Sequence, residues 1–198
     1  MTPAKAATGL GRWGIMLIRK ARMGDVAGLM RLVNGYASMG IMLPRTEFEL
    51  AEGIRDFVVA DADGVLAGCG ALHFYTPQAG EIRSLAVDPA FQKTGLGRKI
   101  VEALEVEAAE AGLVSLFAFT YVPDFFARLG YEEVDRGALP SKAWKDCLRC
   151  PKCQNCDEIA VVKHINSEHI RHEMNGSARG VASPVASSHL IPLSSLQK

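Results

Sequence analysis

The chain has 198 residues, 48% of them hydrophobic, and its 22 basic residues balance 22 acidic ones for a formal net charge of zero. That is enough apolar material for one core with tails, and the charge balance gives no electrostatic argument for nucleic acid or an anionic membrane. No run approaches the roughly 20 apolar residues that span a bilayer, and residues 15–18 (IMLI) break at Arg19, too short for a signal-peptide core. The composition points to a soluble cytoplasmic protein. Four of the five cysteines crowd into residues 147–156, which is poor geometry for a disulfide framework and ordinary for reduced or metal-bound thiols.

Residues 1–14 are small, glycine-rich and without period, and are expected to form a disordered leader. A first strand is predicted over 15–21. Asp25 then reads as a helix N-cap, with Val26, Leu29, Met30 and Val33 on one face. Thr46 and Glu49 have capping-box spacing and open a second short helix. Strands over 57–61 and 65–75 are joined by Asp63-Gly64, a two-residue hairpin signal. Another strand, 81–87, stops at Asp88-Pro89. A helix over 96–112 carries Leu96, Ile100, Leu104, Ala108 and Ala111 at core spacing, with Gly112 at its C-terminus.

The near-continuous apolar run 113–120 marks a strand buried on both faces. A short helix (123–129), a strand (132–135), a Pro- and Cys-containing insertion and a last strand (158–164) follow. Residues 166–198 hold seven serines and no aromatic residue, the composition of a disordered tail. The order β-α-α-β-β-β-α-β-α-β-β predicts a mixed α/β domain, since strands alternating with helices force some parallel pairing.

Between the 81–87 strand and the 96–112 helix lies Gln92-Lys93-Thr94-Gly95-Leu96-Gly97. A strand-to-helix turn presents the unpaired N–H groups of the helix's first turn and the positive end of its dipole, which together bind phosphate. Glycines at 95 and 97 let a ligand approach the backbone. Lys93, Arg98 and Lys99 add charge suited to a diphosphate. The glycines alone do not distinguish this from an ordinary turn. A dinucleotide fold would need a third glycine, which residues 95–100 (GLGRKI) lack.

The wider pattern is more specific. Leu85-Ala86-Val87-Asp88-Pro89 followed by Gln92-x-x-Gly95-x-Gly97 resembles the acetyl-CoA signature of the GNAT N-acetyltransferases. Phe125-Phe126-Ala127-Arg128-Leu129-Gly130-Tyr131-Glu132 resembles that family's second element, FY-x-x-x-GF. The resemblance implies a GNAT fold over 15–165: a mostly antiparallel mixed sheet of about six to seven strands flanked by helices, with a Cys-rich insertion at 147–156. It implies acetyl-CoA as co-substrate, with Gln92, Lys93, Thr94, Gly95, Leu96, Gly97 and Arg98 around the pyrophosphate and Phe126 in the second element. Backbone N–H groups of Leu85, Ala86 and Val87, splayed by a bulge, would face the thioester carbonyl.

Within the family, the stretches 43–46 (LPRT), 80–87 (GEIRSLAV), 139–142 (LPSK) and 157–161 (DEIAV) are most similar to the short bacterial N-acetylglutamate synthases. No kinase-like domain of the longer synthases stands in this sequence, so an arginine site of that kind is not expected. The resemblance makes Glu81 a candidate base for the acceptor ammonium, the alternative being a solvated strand-edge glutamate.

Period-two alternation puts Arg83 on the face of Glu81 and Leu85. Arg83 could clamp a substrate carboxylate or form a structural ion pair. Arg45, just before the second helix, resembles the arginine that synthases use on glutamate. Phe126 occupies the place of the family's tyrosine acid, which leaves Tyr121 or water for protonation of the leaving thiolate. Cys69 reads as a small core residue, and His73 as structural rather than cleft-facing.

Cys147, Cys150, Cys153 and Cys156 give C-x2-C-x2-C-x2-C. Such spacing invites zinc or an iron–sulfur cluster, but paired zinc knuckles need a longer gap and ferredoxin runs end C-x3-C-P. Reduced, partly buried thiols are favoured and no metal is expected. The leading reading is acetyl transfer from acetyl-CoA to the α-amino group of L-glutamate, with a small molecule as partner and a homodimer compatible with it. The alternatives are another small or protein amine as acceptor, and a non-catalytic acyl-CoA- or metal-binding sensor.

Overall fold

The computed structural model describes residues 16–139, 148, 150, 152 and 155–165. The expected leader at 1–14, the tail at 166–198, and Cys147 and Cys153 of the cysteine run lie outside the described residues. The elements are β1 (Met16–Lys20), α1 (Val26–Ala37), α2 (Glu47–Glu52), β2 (Phe57–Ala62), β3 (Val65–Phe74), β4 (Ala79–Val87), α3 (Leu96–Glu110), β5 (Ser115–Thr120), α4 (Pro123–Ala127), β6 (Glu132–Val134) and β7 (Ile159–His164). They follow the predicted order. Among the described residues no helix is long and apolar enough to cross a membrane.

The strands form one seven-stranded sheet in the order β1-β2-β3-β4-β5-β7-β6. Every neighbouring pair is antiparallel except β4–β5, which is parallel because α3 carries the chain back across the sheet. The β2–β3 hairpin turns at Asp63 (φ 51°) and Gly64 (φ 85°), the left-handed pair that a two-residue turn requires. Thr46 and Glu49 close the capping box, with the Glu49 N–H donating to Thr46 Oγ1 at 3.2 Å and the Thr46 N–H to Glu49 Oε2 at 2.8 Å.

Helices cover both faces. On one, α1 and α2 pack Leu29, Leu32, Val33 and Leu50 against Val59, Cys69, Ala71 and Ala86. On the other, α3 packs Ile100 and Leu104 where glycines replace side chains. A Cβ at Gly68 would stand 2.9 Å from Ile100, and one at Gly70 would stand 2.9 Å from Ile100 and 3.1 Å from Leu104. Burying a leucine of this kind contributes about 1.5–3 kcal/mol, so the close approach of α3 is worth the glycines' entropy.

Two local expectations are corrected and one is extended. Asp25 flanks α1 without capping it, because a 3₁₀ turn (Met23–Asp25) precedes the helix. Its carboxylate accepts instead from the Arg22 N–H (2.7 Å) and from Arg19. Leu32 joins Val26, Leu29 and Val33 on the buried face of α1, and Met30 packs half-buried against the same core. Ala111 is exposed, since α3 ends at Glu110 and the chain turns away at Gly112 (φ 81°); Val101 and Ala109 are buried instead.

The feature that shapes the site is the mismatch between β4 and its neighbours. β4 pairs with β5 only over Ala79–Glu81, while β5 runs on to Thr120 beside β7. Among the described residues, no strand pairs with the β5-facing edge of β4 beyond Glu81, so the sheet opens there as a wedge. Opposite, the register with β3 shifts: Cys69 faces Ala86 and Ala71 faces Arg83, leaving one extra residue on β4. Ser84, at φ 53°, is the bulge.

Candidate active site

The bulge re-sorts the side chains of β4. Residues directly opposite in an antiparallel pair share a face, so Glu81 lies with His73, and Arg83 with Ala71, on the α1–α2 side. Past Ser84 the alternation slips. Ala86 joins the α1–α2 core, while Leu85 points to the α3 side, 3.4 Å from where a Gly70 Cβ would stand. The expectation that Leu85 shares a face with Glu81 and Arg83 is therefore overturned, because the bulge consumes one residue of the period.

The turn after β4 has the build its residue types suggest. Gly95 (φ 84°) and Lys93 (φ 62°) both lie in the left-handed region. That conformation costs a non-glycine residue roughly 1 kcal/mol or more, strain that persists where surroundings impose it. Thr94 Oγ1 donates to the Phe91 carbonyl at 2.7 Å and closes the turn. The Lys99 N–H donates to the Gly95 carbonyl at 3.2 Å as α3 begins, so the N–H groups of Leu96, Gly97 and Arg98 have no acceptor within the helix.

These groups face a pocket of about 480 Å³ lined by Val87, Phe91, Gln92, Lys93, Gly95, Leu96, Gly97, Arg98, Phe125, Arg128 and Leu129. A Cβ at Gly97 would project to 3.5 Å from the Phe125 ring and fill part of that space. Three cations, backbone donors and a helix N-terminus suit a diphosphate, and the apolar wall of Val87, Phe91, Phe125 and Leu129 suits an uncharged chain running from it. The site residues thus fit coenzyme A.

Sequence reasoning missed Arg128 and Phe125. Arg98 Nη2 donates to the Arg128 carbonyl at 3.0 Å and ties α3 to the end of α4. Phe126, expected at the cofactor, is 3% exposed and stacks edge-on against Phe125 and Tyr131, with both ring centroids 5.2 Å away. It supports the wall rather than forming it. Lys99 is exposed and absent from the pocket lining. Gln92 donates its amide to the Tyr36 hydroxyl at 2.7 Å, and Tyr36 donates to the Val87 carbonyl at 2.5 Å, so α1 holds the end of β4.

Tyr121 lies past the end of β5, outside the pocket lining. Its hydroxyl donates to Asp157 Oδ1 at 2.8 Å and accepts from Lys152 Nζ at 3.0 Å. Partial burial is the largest influence on its pKa and pushes it up. Cys150 and Cys156 are half-buried free thiols. Among the described residues no group of three or more His, Cys, Asp or Glu side chains is arranged to hold a metal. Cys69 is fully buried and its thiol is pushed up to about 12 by desolvation, which suits a core residue and not a nucleophile.

On the α1–α2 side, Glu81 is 8% exposed. His73 Nδ1 lies 2.8 Å from Asp56 Oδ2, and Arg83 Nη2 lies 3.6 Å from the same oxygen. Arg45 sits in the α1–α2 connection, where Asn34 of α1 clamps its backbone twice: Asn34 Nδ2 donates to the Arg45 carbonyl and the Arg45 N–H donates to Asn34 Oδ1, both at 2.9 Å. Asn34 and Asp56 were not legible as site residues, because each acts on a segment distant in sequence.

The model of the acetyltransferase (GNAT) family matches residues 34–133, a span that contains the bulge, the anion turn and α4. An uncharacterized N-acetyltransferase of Chlorobaculum tepidum is 46% identical over 146 residues, 74% of this chain and 94% of that protein. The amino-acid acetyltransferase of Mycobacterium tuberculosis is 32% identical over 166 residues, 82% of this chain and 91% of that protein. N-acetylglutamate synthase from Neisseria gonorrhoeae, solved with coenzyme A and N-acetyl-glutamate, is similar with a TM-score of 0.71 and 27% identity over 78% of this chain, which spans 36% of that longer protein. With the wedge between β4 and β5, the glycine turn and these likenesses in one molecule, the chain belongs to the GNAT family of acetyl-CoA-dependent N-acetyltransferases.

Proposed function

We propose that this acetyltransferase moves acetyl from acetyl-CoA to the α-amino group of L-glutamate, giving N-acetyl-L-glutamate for arginine biosynthesis in the cytoplasm. The observation that carries the reading is the pairing of an acid with an arginine on one face of β4: Glu81 and Arg83 lie together on the α1–α2 side, immediately before the bulge. The 32% identity to an amino-acid acetyltransferase over most of both chains supports the same acceptor class.

The chemistry follows from the parts. An α-ammonium group is mostly protonated at neutral pH and cannot attack a thioester until a base takes its proton. Glu81 is the proposed base, directly or through one water. Arg45 and Arg83 hold the acceptor carboxylates, with Asn34 fixing the backbone from which Arg45 extends. The amine nitrogen then bonds to the thioester carbon, and backbone N–H groups at the bulge stabilise the charge that develops on the carbonyl oxygen. Collapse breaks the carbon–sulfur bond, the nitrogen releases its excess proton to water, and the thiolate takes a proton from Tyr121 or water, which solvent then restores.

The experiment is an acetyl-CoA-dependent thiol-release assay across the amino acids, with the product identified by mass spectrometry. Glutamate should give the highest kcat/KM. Turnover confined to amines without a carboxylate overturns the acceptor and leaves the family assignment standing.

A further inference from the structure

The acceptor face holds a carboxylate that the proposed reaction does not use. Asp56 closes the 3₁₀ turn (Ile54–Asp56) ahead of β2, and its Oδ2 serves two cationic or donor groups on two other strands. His73 Nδ1 of β3 lies at 2.8 Å, a full hydrogen bond in which the ring nitrogen donates to the carboxylate. Arg83 Nη2 of β4 lies at 3.6 Å, inside ion-pair range and beyond the usual N–H···O range of about 2.7–3.2 Å. Arg83 is therefore biased by Asp56 and not captured by it. The Arg83 and His73 side chains are only 19% and 25% exposed and Asp56 30%, so water screens the pairing incompletely.

From this geometry we infer that Asp56, held by His73, is the specificity-determining residue of the acceptor site. It sets how strongly a side-chain carboxylate is preferred over the corresponding carboxamide. The inference rests on the reading of Arg83 as a contact for the acceptor. Asp56 draws on the Arg83 guanidinium, so the fraction that it draws is lost to an acidic acceptor but costs a neutral amide little. His73 moderates that draw, because its hydrogen bond occupies the same oxygen. Removing the Asp56 charge and removing the His73 donor should then act in opposite directions. A pair that merely holds the ends of β2 and β3 against β4 would give two losses of the same kind.

The test is the ratio of kcat/KM for L-glutamate to that for L-glutamine at saturating acetyl-CoA, in wild type, Asp56→Asn and His73→Leu. Asp56→Asn keeps the shape and an oxygen for His73, and should raise the ratio about three- to tenfold, the scale of a partly screened charge pair. His73→Leu leaves Asp56 to Arg83 and should lower the ratio by a similar factor. The KM for acetyl-CoA should be unchanged in both. Thermal unfolding confirms that each variant is folded, and either variant alone tests the direction if the other is not. A ratio unmoved in a folded variant, or shifts of the same sign in both, overturns the inference while the acceptor reading stands. Wild type that acetylates neither amino acid overturns the acceptor reading and this inference together.

Discussion

The two sides of the β4 wedge are built on different principles. The proposed coenzyme side is made mostly of backbone: the open first turn of α3, left-handed Lys93 and Gly95, and the space left by Gly97, with Arg98 and Arg128 lining the same pocket. The proposed acceptor side is made of side chains brought from five segments: Asn34 of α1, Arg45 of the connection after it, Asp56, His73, and Glu81 with Arg83. Backbone recognition depends on a short contiguous turn and tolerates changes in exposed side chains. Side-chain recognition depends on long-range register, so single substitutions should be severe and specific to the acceptor.

The largest expected effect tests the acceptor side. Glu81→Gln should lower kcat/KM for glutamate by about 10²- to 10⁴-fold, the usual worth of a general base, while coenzyme A binding is retained. The defect should shrink as pH rises, because more acceptor then arrives as neutral amine. Near-full activity of the variant at neutral pH in a pH–rate profile would move the base elsewhere and blur the contrast between the sides.

Next in size, Arg45→Ala should cost about 2–4 kcal/mol of acceptor binding, the scale of a partly desolvated charged contact. It should appear as a raised KM for glutamate with little change for acetyl-CoA. Equal shifts in both constants, measured by initial rates, would show that the α1–α2 connection serves both sides.

On the coenzyme side, Gly97→Val should weaken coenzyme A by about 10- to 100-fold, since its Cβ and methyls enter the gap toward Phe125. Stability without ligand should hardly fall, because valine is a better helix residue than glycine. The readout is the coenzyme A-dependent rise in melting temperature, and an unchanged rise would remove the glycine cradle from the account.

The smallest effect is a control remote from both sides. Arg19 bridges Asp25 at 2.7 Å and Asp61 at 2.9 Å, and its hydrogen bonds hold both carboxyls below the ordinary aspartate range. Groups with a lowered folded pKa contribute stability that is present above their unfolded pKa of about 4 and is lost as pH falls through the folded value. Arg19→Met should therefore lower the melting temperature by a few degrees at pH 7, for a loss of roughly 1 kcal/mol, and the gap to wild type should close in strong acid. Neither KM should move.

Much of this molecule follows from short-range relations in the chain. Asp63-Gly64 can only turn tightly, Thr46 and Glu49 can only cap each other, and a glycine turn entering a helix must expose N–H groups; the order of elements and the anion turn were legible for that reason. Tertiary structure decided whatever depends on register or on competition between distant partners. The Ser84 bulge sent Leu85 to the α3 side against the period of two. Packing of α4 made Phe125 the pocket wall and buried Phe126. Arg19 and the Arg22 backbone drew the Asp25 carboxylate away from capping α1. Asp56 met His73 and Arg83 only because β3 and β4 align beside the turn that leads into β2, with His73 17 positions after Asp56 in the chain. A sequence states which groups a residue can satisfy; the fold decides which of them arrives, because burial and strand register are properties of the whole sheet.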